Sequence, residues 1–112
     1  MIDNSPVYIK LEEVKGEKTG SLYTGEFTIK KFLTQKERID ATRLAESLAR
    51  GIERSPADLE YVTMIAHLAF HVISAPAWWG DKGLDLYDRE PAWALSDKLI
   101  EVQNPKESQA PA

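Results

Sequence analysis

The chain has no cysteine. That removes disulfides, thiolate nucleophiles and cysteine-based zinc sites at the outset, and it fits a reducing compartment. Positive charge is not in excess. Fourteen Lys and Arg stand against 18 Asp and Glu, for a formal net charge of −4. Phosphate binding needs clustered cations, so the balance argues against a nucleic-acid partner. The small basic groupings Lys30-Lys31 and Lys36–Arg38 are offset by Glu26, Glu37 and Asp40. Long apolar runs are missing too. The richest stretch, Tyr61–Ile73, is interrupted by His67 and His71 and is too short and too polar to span a bilayer, so no membrane partner is expected. Met1–Pro6 has neither a basic nor an apolar signal region, and no signal peptide is expected. Gly16, Gly20 and Gly25 match neither GxxxxGK[ST] nor GxGxxG. The serines and threonines lack the setting of a nucleophile elbow or triad. These absences predict a protein that is not an enzyme and carries no cofactor or metal.

What remains is ordinary for one globular domain: 112 residues, 43% hydrophobic and 29% charged. Residues 1–6 read as an N-terminal arm. Val7–Leu11 reads as a strand rich in β-branched and aromatic residues. Lys15–Gly20 is turn-like. Ser21–Phe32 alternates, with Phe27 and Ile29 on one face and Glu26, Thr28 and Lys30 on the other. Gly25 is expected to mark a bulge or a break between two short strands. Thr34 and Glu37 form a capping box that opens a helix to about Arg50, with Gly51 as its end signal. Ala41, Leu44, Ala45, Leu48 and Ile52 make its apolar stripe. Ser55 and Pro56 start a second helix, expected to run to Ser74. It is apolar on most of its circumference, and a small domain covers only part of such a helix, so the remainder suggests a partner surface. Glu90-Pro91 starts a third helix ending near Gln103, and 104–112 reads as a flexible C-terminal tail. The predicted fold class is α+β: an N-terminal β-hairpin or small antiparallel meander packed on three α-helices, in a single domain over 7–103.

Three candidate sites emerge. His67 and His71, four apart, share a helix face, but Leu68 stands where a zinc helix places glutamate. A metal-dependent enzyme built on them is therefore the least favoured reading, and two partly exposed structural histidines the favoured one. Asp81, Asp85, Asp88 and Glu90 cluster without a nucleophile nearby. They are read as turn and cap residues, with Asp85 and Asp88 bonding local amides. The third candidate is the corner Ser74–Asp88, which holds Trp78 and Trp79 side by side after Pro76. Adjacent residues point in different directions. One tryptophan is expected to close the core and the other to meet a neighbour. The partner-binding candidates are Trp78, Trp79 and Tyr87 at this corner, with Val7, Tyr8 and Ile9 on a sheet edge that can add to a partner sheet.

The succession Gly25-Glu26-Phe27-Thr28-Ile29-Lys30, a capped charged helix, Ala75-Pro76-Ala77-Trp78-Trp79 and Gly83-Leu84-Asp85-Leu86-Tyr87-Asp88 resembles small proteins encoded among tailed-bacteriophage structural genes. The resemblance covers about residues 7–103. It implies a non-enzymatic part in particle building, in one of two forms. The first is an auxiliary virion protein, made in the host cytoplasm and bound to capsid or head–tail subunits, with its arms along its neighbours and homo-oligomers allowed. The second is a tail-assembly chaperone that binds the tape-measure protein through helix faces. No catalytic residue is implied.

Overall fold

The computed structural model describes residues 4–50 and 55–104. Gly51, Ile52, most of the tail and the start of the arm lie outside the described residues. The elements run β1 (Val7–Lys15), β2 (Leu22–Ile29), α1 (Gln35–Ala49), α2 (Pro56–His71), β3 (Val72–Ser74) and α3 (Glu90–Gln103). The three strands form one antiparallel sheet in the order β1-β2-β3, and with three helices the class is α+β.

The inner face of the sheet supplies Ile9, Leu11, Phe27 and Ile29 to a core completed by Ile65 and Leu68 of α2, Trp79, and Leu95 and Leu99 of α3. A smaller cluster, Ala45 of α1 with Val62 and Ala66 of α2, joins those two helices through small side chains. The Thr34–Glu37 capping box forms in both directions. Ser55 accepts from the Asp58 amide and Pro56 opens α2, as their residue types require.

Three expectations need correction. β1 does not stop at Leu11. Glu12 and Glu13 bulge opposite Thr24, Glu13 takes φ +48°, and its amide donates to Thr24 Oγ1 at 3.0 Å. The extra residue returns Val14 to the inner face, so a polar pair that reads as a strand end is a β-bulge. Gly25, in turn, sits within a continuous β2 opposite Leu11. Its role is space: a Cβ there would lie 2.6 Å from Pro76 Cγ and 3.2 Å from Trp78 Nε1. Finally, α2 ends at His71 rather than Ser74. Val72 turns extended, and Val72–Ser74 pairs with Thr28 and Ile29. The apolar pattern continues through Val72 and Ile73, but the chain leaves the helix where it pairs with β2.

Asp88 is the other departure. It is buried, and its amide partners are distant in sequence. Its carboxylate accepts from the Lys18 amide at 2.9 Å, the Thr19 amide at 3.1 Å, the Thr19 hydroxyl, and the Tyr23 hydroxyl at 2.7 Å. The Thr19 hydroxyl first, and then the Tyr23 hydroxyl and the two amides, hold its pKa below the usual carboxylate value against the opposing effect of burial. The segment before α3 is thereby locked to the β1–β2 turn. Glu90 adds to the lock by accepting from the Glu17 amide at 3.2 Å.

Candidate functional site

The expected aromatic corner forms, largely as interior structure. After Pro76 a single 3-10 turn, Ala77–Trp79, turns both tryptophans towards Phe27 on the inner face of the sheet. Trp79 is only 2% exposed and stands edge-on to Phe27 with centroids 5.1 Å apart. Trp78 is half-buried, lies 5.0 Å from the Tyr23 ring, and donates its indole N–H to the Thr24 carbonyl at 2.9 Å. Trp79 is therefore the tryptophan that closes the core, and as a partner-binding residue it is corrected. Ile9 is corrected likewise: its side chain is 5% exposed and faces the core, which leaves only its backbone for edge pairing. Val7 is half-buried, while Tyr8 and Tyr87 are each 78% exposed. β1 is an edge strand. Tyr8 lies on the opposite face of β1 from Ile9, and Tyr87 precedes α3 beside Glu17 and Lys18. The six candidates thus do not share one surface.

A concavity lies elsewhere, between α2 and α3. It is an open groove of about 670 Å³. Leu59, Met64 and Leu68 of α2 and Trp93, Leu99 and Ile100 of α3 give it an apolar lining. At its N-terminal end Arg89 bridges the helices. Its guanidinium pairs with Asp58 at 2.8 Å and lies 4.5 Å from the centre of the Tyr61 ring, which in turn sits 6.0 Å from Trp93. The Ser55 hydroxyl first, and Arg89 second, hold the Asp58 carboxyl below its usual pKa. At the other end both helices reach the close of β2. Gln103 donates its amide to the Lys31 carbonyl, and the His71 ring bonds the Lys30 carbonyl. Tied at both ends, the helices lie side by side with an apolar trough between them.

His67 and His71 line the trough beside these residues. His67 Nδ1 is 2.7 Å from the Thr63 carbonyl oxygen, and His71 Nδ1 is 2.7 Å from that of Lys30. A carbonyl only accepts, so each Nδ1 carries a proton and donates it. His67 is half-buried as expected, but His71 is buried, at 7% exposure. That burial is the main reason its pKa falls below the ordinary histidine value. Among the described residues no group of three or more His, Cys, Asp or Glu is placed to hold a metal ion, and no helix is long and apolar enough to cross a membrane.

Sequence reasoning missed Met64, Trp93 and Ile100 as site residues. The signal was present, in a second helix apolar nearly all round and in an apolar Trp93–Ile100 pair one heptad apart on the third. No family model, curated protein or solved structure matches this chain.

Proposed function

We propose that this chain is a non-enzymatic structural or assembly protein of a tailed-phage particle, and that it acts by docking other particle proteins. The open apolar groove between α2 and α3 carries this reading, because such a trough is the form that takes an amphipathic helix. The phage assignment rests on the resemblance of the Gly25–Lys30, Ala75–Trp79 and Gly83–Asp88 segments. Non-catalytic action is supported by Asp88, whose carboxylate is engaged by the turn it anchors.

Of the two forms of this role, the groove favours the tail-assembly chaperone. Ile9 and Trp79, expected to meet virion neighbours, are interior, whereas the apolar opening is lined by helix faces. An auxiliary capsid or head–tail protein, docking through Tyr8 and the free β1 edge, is the second form. Mass spectrometry of infected-cell assembly intermediates and of purified particles tests both. A chaperone is found with unassembled tail protein and is absent from finished particles; an auxiliary protein is found in the particles. Its absence from both contradicts the proposal.

A further inference from the structure

Resting on that docking role, we infer that the helix seated in the α2–α3 groove carries an aspartate or glutamate at one end of its apolar stripe, and that this carboxylate enters a hollow beside Arg38. The hollow, of about 270 Å³, adjoins the His71 end of the groove and shares His67, His71 and Gln103 with it. Arg38 of α1, Phe32 and Leu33 complete its lining. One surface therefore runs from the apolar trough to a guanidinium.

Arg38 is the group in this hollow left to answer an anion. His67 and His71 commit Nδ1 to the Thr63 and Lys30 carbonyls, and Gln103 commits its amide to the Lys31 carbonyl. These bonds hold the wall. Glu37, the acid next to Arg38 in the chain, is taken by the Lys30 ammonium and the Thr34 amide. No acid stands three or four places from Arg38 on its own helix, where the residues are Thr34, Gln35, Ala41 and Thr42. Among the described residues no carboxylate pairs with its guanidinium.

The other end of the groove has the opposite character. Glu60 lines it, and Glu46 of α1 borders a second hollow that shares Leu59 and Thr63 with the groove. Arg89 stands there too, but it is paired with Asp58. An acidic residue on the docked helix is thus matched at the Arg38 end and opposed at the Glu60 end. A guanidinium can take a carboxylate through two parallel hydrogen bonds, which adds geometry to the match.

The test is a titration of the isotope-labelled chain, followed by NMR at low salt, with a synthetic amphipathic helix of about five turns. The peptide has blocked ends, leucines at three- and four-residue spacing, and one glutamate at an end of the leucine stripe. A peptide with glutamine in place of that glutamate is the control. The glutamate peptide is expected to shift the Arg38 side-chain Nε–H and the Ile100 amide saturably, and to bind at least about threefold more tightly than the control. Arg38→Gln, at an exposed position, should bring the two affinities together while leaving the melting temperature and the binding of the glutamine peptide unchanged. No saturable binding, equal affinity of the two peptides for the wild-type chain, or a preference that survives Arg38→Gln overturns the inference. So do shifts confined to residues outside the groove and the hollow. None of these results bears on whether the chain is recovered with phage tail or head proteins, so the failure of this inference is distinct from the failure of the functional reading.

Discussion

His71 and Lys30 are joined by two reciprocal hydrogen bonds. The Lys30 amide donates to the His71 carbonyl at 2.9 Å, and the His71 Nδ1–H donates to the Lys30 carbonyl at 2.7 Å. The pair stands where α2 gives way to β3 and where β2 ends. The Lys30 ammonium also pairs with Glu37 of the α1 capping box, so one residue ties the sheet to two helices at the closed end of the groove.

Stability should fall on mild acidification. The folded pKa of His71 lies below its ordinary value of 6.5, chiefly through burial. An unfolded chain therefore takes up the proton first. The contribution is complete above about pH 6.5 and is lost as pH drops towards the folded value, at up to about 1.4 kcal/mol per pH unit for one proton. Urea unfolding at pH 8, 7, 6 and 5 checks this, and His71→Gln should flatten the slope over the same range. A wild-type stability that does not change from pH 7 to 5 would contradict the burial of a neutral His71.

Asp88→Ala should loosen the β1–β2 turn without disturbing α1. The Lys18 and Thr19 amides lose their acceptor, and their hydrogen exchange should accelerate far more than that of the α1 interior. Gly16→Ala should have a similar effect from the other side, because a Cβ there would lie 2.1 Å from Asp88 Oδ2. The depressed Asp88 pKa has its own acid signature. Its contribution is present above the ordinary carboxylate value near 3.8 and disappears as pH falls through the lower folded value.

Gly83→Ala should cost about 2–4 kcal/mol, combining left-handed backbone strain with overpacking. Gly83 has φ +72°, and an added Cβ would come 2.7 Å from the Trp79 ring. Gly20→Ala is the control, with φ +77° and open space around it. Strain alone remains there, about 1–2 kcal/mol. Equal losses in denaturant unfolding would show that Gly83 is not shaped by Trp79.

The two tryptophans should separate in a stability assay. Trp79→Ala empties a core position and should cost about 3–5 kcal/mol. Trp78→Phe keeps a ring on Tyr23 and Phe27 but removes the bond to Thr24, for a loss near 1 kcal/mol. A larger loss at Trp78 than at Trp79 would reverse their assigned roles.

Local chemistry made much of this fold legible in the sequence. The Thr34–Glu37 box, the Ser55–Pro56 start and the Phe27/Ile29 alternation each depend on neighbours within a few residues, and each appears where expected. The misses depend on distant partners. The end of α2 is set by Lys30, and the partners of Asp88 lie about 70 residues away. Ile9 and Trp79 read as surface candidates because nothing local announces the core they enter. The groove was visible only as surplus apolar circumference on the second helix, since its other wall, Trp93 and Ile100, comes from an element that the sequence alone does not place beside it.

Photo-crosslinking in infected cells tests the central claim most directly, with a benzophenone side chain placed at Ile100 in the groove and, separately, at exposed Asp81 outside it. The account predicts a crosslink from position 100 to a helical segment of a phage structural protein, with none from position 81. Equal crosslinking from both positions, or no phage protein captured at position 100, would contradict it.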